Sequence, residues 1–321
     1  MLRYTVKRIL SLIPVVFIIS IMLFGLTKLM PGDPAKLMVQ GGRPETYDAR
    51  VEAARKSLGL DQDVVTQYVK WMGNLAHGDL GVSSTYQTEV KNVVAEPLKN
   101  TVFLNFFVLI FSLGISILVG IRSAVKKGSF FDQFWQVFSL IGMSVPTFFV
   151  GLCLIFIFAF KLGWLPSFGM PEQGLSTGAY ITSWFRHLIL PVTTLTVIQL
   201  AGTMRYVRNA LLEVLSQDFI RTARSKGLSQ KVIVYSHAFR NALIPVVTIV
   251  ITQIGMLFSG SMITETVFQW NGLGFILLKG LQKRDLWLVV SMNLFYVVIY
   301  LISNFIADIT YALVDPRVKL D

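Results

Sequence analysis

The chain has 321 residues, of which 54% are hydrophobic and 15% charged, and its mean hydropathy is +0.62. A soluble domain carries about a quarter charged residues, so this chain lacks the polar surface to face water and reads as several membrane spans joined by loops. The net charge of +11 is better explained by basic residues gathered on one side of a membrane than by a phosphate-binding face, and nucleic acid is not an expected partner.

A helix needs about 20 mostly apolar residues to cross roughly 30 Å of hydrocarbon. Six stretches qualify, at 9–30, 101–121, 134–160, 188–204, 242–264 and 288–312. The expected fold class is therefore an all-α membrane protein with about six transmembrane helices. Arg3, Lys7 and Arg8 precede the first stretch in the manner of a signal peptide. The apolar run is longer than such a peptide needs, and no small-x-small cleavage site follows, so an uncleaved span is expected. Lys28 at its end can snorkel to the headgroups.

Residues 31–100 form a water-facing segment. Pro31-Gly32-Asp33-Pro34 stops the first helix. Helices are expected over 45–57 and 63–75, where Val51, Ala54 and Leu58, then Val65, Val69 and Met72, recur at helical spacing. A capping domain and a docking surface for an outside partner are both open readings of this segment. The stretch 188–204 carries Pro191 and the polar run Thr193, Thr194, Thr196 and Gln199, which suits a helix facing other helices or a water-filled path.

With the N-terminus in the cytoplasm, the inside segments hold 15 Lys and Arg and the short outside loops hold 5, which places both termini in the cytoplasm. The organisation expected is a cytoplasmic N-terminus and first transmembrane helix (1–30), an extracytoplasmic helical loop (31–100), a five-helix core (101–312) and a cytoplasmic tail (313–321).

Within the core, the cytoplasmic segment 205–241 is long and basic, yet Phe219, Ile220, Ala223, Leu228, Val232, Ile233 and Tyr235 run through it and Gly227 interrupts it. A segment of this length without structure is uncommon. A stretch lying on anionic headgroups is one reading. A helix–turn–helix presented to a cytoplasmic partner is the other, and the interruption at Gly227 favours it.

Several chemistries lack their residues. No Gly-x-x-x-x-Gly-Lys-Ser/Thr loop occurs, Gly272-Leu273-Gly274 is too short for a dinucleotide loop and reads as a turn, and His77, His187 and His237 have no partners at metal-ligand spacing. No catalytic residue and no metal ligand is expected. Cys153 is the single cysteine and sits in an apolar run. The spans are empty of ionisable residues apart from the terminal Lys28 and Asp308, which argues against an ion-coupled secondary transporter, the alternative of a different class.

The motif Thr222-Ala223-Arg224-Ser225-Lys226-Gly227, followed by Arg240-Asn241-Ala242-Leu243-Ile244-Pro245, resembles the coupling loop of binding-protein-dependent ABC importer permeases. Arg3-Tyr4 through Ile13-Pro14-Val15 to Pro31-Gly32-Asp33-Pro34-Ala35 is similar to the opening of the B-type permeases of oligopeptide and dipeptide systems. So are Gly78-Asp79-Leu80-Gly81, Ser144-Val145-Pro146-Thr147-Phe148, Leu162-Gly163-Trp164-Leu165-Pro166 and Asp315-Pro316-Arg317. The general motif's acidic residue falls on Arg221 and its later proline on Arg240, as in the peptide subfamily. Asn271 stands where the family usually has proline.

The resemblance implies a type I importer permease fold in the cytoplasmic (inner) membrane of a prokaryote, non-catalytic and without a bound cofactor. ATP and Mg belong to two separate ABC ATPase subunits. A second, homologous permease completes a pseudo-twofold pore in membrane lipid, and an extracytoplasmic peptide-binding protein delivers an oligopeptide or dipeptide. Nickel or another small solute is the alternative cargo. The resemblance assigns ATPase coupling to Arg221, Thr222, Ala223, Arg224, Ser225, Lys226, Gly227 and Leu228. Gly227 suits a bend where a side chain would clash, and with Ala223 is expected to transmit the stroke. Thr193, Thr196, Gln199, Thr252, Gln253, Ser259 and Asn293 are candidates to line the solute path or, equally, to hydrogen-bond between helices.

Overall fold

The computed structural model describes residues 2–29, 33, 35–36, 39, 46–57, 59–171 and 174–314. Pro31, Gly32, Pro34, Leu58 and the closing Asp315-Pro316-Arg317 motif lie outside the described residues.

Helix α1 (Leu2–Leu29) is followed by α2 (Tyr47–Ser57) and α3 (Val64–Ala76), and then by a two-residue antiparallel hairpin, β1 (Val82–Ser83) and β2 (Thr88–Glu89). The two short helices stand where sequence periodicity places them. Asp63 starts α3 by accepting the amides of Val65 and Thr66 at 3.1 and 3.0 Å, which removes two of the unpaired donors of a helix N-terminus. The inward face of α3 differs from expectation. Tyr68, Trp71, Met72 and Leu75 pack on Phe24 of α1 and on Val290 and Leu294, whereas Val65 and Val69 are 70% and 60% exposed. Aromatic area outweighs the two valines in choosing the buried side.

Two long parallel helices form the spine, α4 (Val90–Val125) and α7 (Thr177–Leu215). Leu104 and Val108 of α4 meet Leu188 and Val192 of α7, and Ile121 and Ala124 meet Val207 and Leu211. A Cβ on Gly120 would lie 2.8 Å from Val207 Cγ1, so this glycine sets how closely the helices approach. The polar stretch 188–204 is enclosed as expected: 56% of the most apolar window of α7 is buried, against 11% for α1. At 39 residues, α7 is roughly 58 Å long at 1.5 Å per residue, nearly twice the hydrocarbon thickness. Residues 205–215, expected as loop, are therefore its projecting last turns.

Between the spine helices, α5 (Phe130–Ser144) and α6 (Thr147–Leu154, continued as the π-helical Ile155–Lys161) bend by 105° at Val145-Pro146. Proline cannot donate to the preceding turn, and it holds Val145 in extended backbone. After α7 come α8 (Asp218–Ser225), a helical turn Gln230–Val232, a π-helical segment Ile233–Phe239, and α9 (Arg240–Gly255) with a 3₁₀ turn Met256–Phe258. The chain closes with α10 (Met262–Val267), α11 (Leu273–Lys283) and α12 (Leu286–Val314).

Among the described residues four helices are long and apolar enough to cross a membrane, or five if the bent pair is one span. The expected count of about six is thus not met by single helices. The stretch 242–264 stops at Gly255 and resumes at Met262.

Val90 of α4 packs on Leu288 and Met292 of α12, so these two helices start at the same end of the bundle. Arg8 of α1 pairs with Asp308 of α12 at 3.1 Å, which sets the start of α1 beside the far end of α12. The N-terminal residues, 121–127 and 205–240 therefore gather at one end, the basic end.

Candidate coupling surface and solute path

At the basic end, one apolar cluster joins four pieces of chain. Ile121 and Ala124 of α4, Val207 and Leu211 of α7, Ile220 and Ala223 of α8, and Ile233, Val234, Ala238, Ala242 and Val246 from the π segment and α9 are all buried together. Ile220 and Ala223 are three residues apart and so share one face of α8. The opposite face presents Arg221, Thr222, Arg224, Ser225 and Lys226, all exposed, with Phe219, Leu228 and Tyr235 exposed beside them. Seven of the eight coupling candidates thus form a surface. Ala223 does not; it is part of the platform beneath.

Gly227 ends α8. Its amide bonds the Arg224 carbonyl at 3.0 Å, and the Leu228 amide reaches the Ala223 carbonyl at 3.4 Å, the paired bonds of a helix C-terminus that turns through a left-handed residue. Gly227 has φ +75, and a Cβ there would meet nothing within 4 Å. The expected reason for this glycine is corrected accordingly: within this chain backbone conformation requires it, not crowding.

A second anchor escaped the sequence reading. Arg208 of α7 grips Asp132 of α5 with two bonds, Nε–Oδ1 at 2.7 Å and Nη2–Oδ2 at 2.8 Å, and the Gly128 amide donates to Oδ2 at 2.9 Å. Asp132 is fully buried and Arg208 nearly so. The available signal was the lone acid at the edge of an apolar stretch, where burial demands a counter-charge. Nearby, Ser139 of α5 donates to the Ala201 carbonyl of α7.

The path candidates do not form one group. Thr252 and Ser259 line a cavity of about 360 Å³ with Met256, Tyr296, Tyr300, Ser303 and Asn304. Gln253 instead turns to α7 and donates to Thr203 Oγ1 at 2.8 Å. Thr196 is buried on α7, while Thr193 and Gln199 are half-buried there. Asn293 is spent on its own helix, donating to the Val289 carbonyl at 2.8 Å. Asn105 of α4, which the sequence reading passed over, donates towards the carbonyls of Met256, Leu257 and Ser259 at 3.2, 3.1 and 3.0 Å.

At the other end, Glu265 of α10 is fully buried. It accepts from Thr101 Oγ1 at 2.9 Å and from the Phe275 amide at 3.1 Å. Burial pushes this carboxyl up to about 7, against the opposing pull of the Thr101 hydroxyl and the nearby amides. The turn expected at Gly272-Leu273-Gly274 is instead the start of α11, with Gly272 extended at its N-cap and Leu273 and Gly274 already helical. Both glycines serve close packing, since a Cβ on Gly272 would lie 2.5 Å from Thr101 Oγ1 and one on Gly274 would strike the Met262 backbone at 2.6 Å. Asn271, in the family's proline position, accepts from Asn100 Nδ2 at 2.8 Å through its carbonyl. Asp285 caps α12 and ties the hairpin to it, accepting from the Thr85 amide at 2.9 Å and from Ser83 Oγ. Among the described residues no group of three His, Cys, Asp or Glu is placed to hold a metal.

Residues 116–320 match the family described as the binding-protein-dependent transport system inner membrane component, and residues 1–105 match the N-terminal part described for such membrane components. The chain belongs to this family. It is 38% identical to the di/tripeptide transport system permease protein DppB of Pseudomonas aeruginosa, over 99% of each chain. It is also 38% identical to the oligopeptide transport system permease protein AppB of Bacillus subtilis, over 99% of this chain and 100% of that one. In fold it resembles a chain of the MetNI methionine ABC transporter in inward facing conformations, with TM-score 0.54 and 19% identity, covering 70% of this chain and 96% of that one. This permease is a transport subunit of a membrane system, with the importer fold that the sequence resemblance implied.

Proposed function

We propose that this permease carries oligopeptides or dipeptides inward across the cytoplasmic membrane, driven by two separate ABC ATPase subunits that hold ATP and Mg. A homologous second permease completes the pore, and an extracytoplasmic binding protein supplies the peptide. The full-length similarity to permeases named for peptide transport carries the choice of substrate.

The coupling surface is the exposed face of α8 and its exit, Arg221, Thr222, Arg224, Ser225, Lys226, Gly227 and Leu228. The apolar knobs Phe219, Leu228 and Tyr235 seat in a groove of an ATPase, and the basic residues steer the docking towards an acidic rim. Closure of the ATPase pair then displaces α8. Because Ile220 and Ala223 share one core with α4, α7 and α9, that displacement moves whole helices instead of bending a loop. Solute passes on the polar side of α9 and α12, where Thr252 and Ser259 stand.

The test is uptake of a labelled tripeptide by cells lacking the native permease and supplied with this chain and its partner subunits. Uptake that depends on this chain, with ATPase subunits copurifying under gentle extraction, is expected; an active assembly of this chain alone rejects the reading. Orientation is checked with Cys153→Ala and Ser229→Cys combined. A membrane-impermeant maleimide should label the new thiol only after permeabilisation, and labelling in intact cells overturns the cytoplasmic placement of α8.

A further inference from the structure

The interruption of the fifth apolar stretch is built by specific contacts. α9 ends at Gly255, where a Cβ would run into the Ser303 side chain, so α9 and α12 touch almost backbone to side chain. Gly260 packs on the Gly274 backbone just as closely. Between them Ser259 is extended, with φ −90 and ψ 112. Non-helical backbone inside an apolar layer persists only where protein or a lined cavity satisfies its polar groups.

Asn105 supplies part of that satisfaction. Its amide has two protons and faces three carbonyls, those of Met256, Leu257 and Ser259. Carbonyl acceptor capacity is therefore left over at the break. The adjoining cavity of about 360 Å³ falls in the range of small-molecule sites, roughly 300–1,000 Å³. Its polar lining is Thr252, Ser259, Tyr296, Tyr300, Ser303 and Asn304, and among the described residues no Asp, Glu, Lys, Arg or His lines it. The Tyr296 hydroxyl is buried beside the Gly260 backbone, with the Glu265 carboxyl near enough behind the lining to act on it.

Every polar group in this lining is neutral, and hydroxyl and carboxamide groups each donate and accept. Such a lining complements a ligand group that is neutral and also does both, and it presents no charged side chain of its own to a carboxylate or an ammonium. Among the parts of a peptide, only the backbone amide fits that description whatever its side chains are. We propose that the break in α9 and its cavity form a contact site for backbone amides of the transported peptide. The inference rests on the peptide reading above and adds the place and the chemistry of contact. It predicts transport that is indifferent to side-chain charge.

Cysteine protection in the assembled transporter tests it. Cys153→Ala removes the single native cysteine, and Ser259→Cys or Asn304→Cys then places one thiol on the cavity. During transport of trialanine, alkylation by N-ethylmaleimide should slow about tenfold at either position, the effect of occupying a site at a free energy near 1.4 kcal/mol. Trialanine methylated on its backbone nitrogens should protect far less. A thiol placed at Ser229 in the exposed basic segment should not respond to trialanine. Because Ser259 lies on the break itself, Tyr300→Cys on the exposed side of α12 repeats the test without touching it.

The inference is overturned if trialanine accumulates while the cavity thiols react at unchanged rates, or if the methylated peptide protects equally. A transporter that takes up no peptide at all instead removes the reading on which the inference rests, and uptake without the thiol reagent separates that failure from the first.

Discussion

At the basic end, Asp132 is buried against a full counter-charge, the guanidinium of Arg208, and the pair pins α5 to α7. At the opposite end Glu265 and Asp285 are buried just as completely, yet the groups that hold them are hydroxyls and backbone amides. An ion pair joins two helices as rigid rods, because both of its ends are long side chains reaching from regular backbone. A carboxylate fed by amides fixes the course of a turn, because its donors belong to the backbone itself. The first arrangement suits an end that moves as a block, and the second suits an end whose loops must hold one shape. Between them lies the break in α9, held by the Asn105 carboxamide and by the close approach of Gly255 to Ser303.

The largest effect is expected from halving the ion pair. Arg208→Ala leaves Asp132 buried without its partner, at a cost of about 3–5 kcal/mol. Removing both charges with Arg208→Met and Asp132→Leu together should restore most of that loss, since a buried pair contributes little beyond a well-packed apolar substitute. Thermal unfolding of the purified transporter measures both. A double variant as unstable as the single one would show that the pair does more than hold the helices together.

The opposite end is sharpened by pH. Glu265 ionises near 7 in the folded chain, against 4.5 for an unperturbed glutamate. A raised acid favours its protonated form when folded, so the native state is stabilised at low pH relative to high pH. Stability should fall by about 3 kcal/mol as pH rises from 4.5 through 7 and then level off. Glu265→Gln should remove this slope. Its stability should stay near that of the protonated wild type across the range, because a carboxamide is neutral and keeps one oxygen to accept the Phe275 amide. A wild-type profile that is flat over this range would show that the hydroxyl and amides outweigh burial.

This contrast between the ends also explains what could be read from the sequence. The basic face of α8 and its stop at Gly227 rest on local chemistry, which a linear sequence displays. The amphipathic positions Ile220 and Ala223 could be picked out for the same reason, although their inward role could not, because α4 and α9 supply the other side of the core. The pairing of Asp132 with Arg208 spans 76 residues, and Asp285 holds Ser83 across 202. Asp132 stands out locally as a lone acid beside an apolar stretch, but neither pairing names its distant partner. The break in α9 was hidden for a different reason. Ile254, Met256, Leu257 and Phe258 are as apolar as any span, and it is Ser303, Gly274 and Asn105 from elsewhere in the chain that interrupt the helix.

A smaller effect is expected at Gly227, where the comparison concerns transmission and not stability. A residue with a Cβ in the left-handed region costs roughly 1–2 kcal/mol, and Asn tolerates that region better than a β-branched residue does. Gly227→Val should unwind the end of α8, reducing peptide uptake severely while the protein still inserts. Gly227→Asn should keep a substantial part of the activity. Uptake normalised to membrane abundance distinguishes the two. Equal loss in both variants would mean that the docking groove, and not the turn, excludes the side chain.

The smallest effect on stability belongs to Arg221, whose guanidinium lies 3.5 Å from Asp218 on the exposed face of α8. An exposed pair of this kind contributes from nothing to about 1 kcal/mol, so Arg221→Ala should leave thermal unfolding almost unchanged. Its predicted effect is on association. Removing one basic residue from the face that meets an acidic rim slows docking and weakens its dependence on salt. Copurification of the ATPase subunits, measured across a salt series, should therefore fall for the variant at low salt and converge with wild type at high salt. Curves that coincide at every salt concentration would take Arg221 out of the interface and shift the coupling surface towards Arg224 and Lys226.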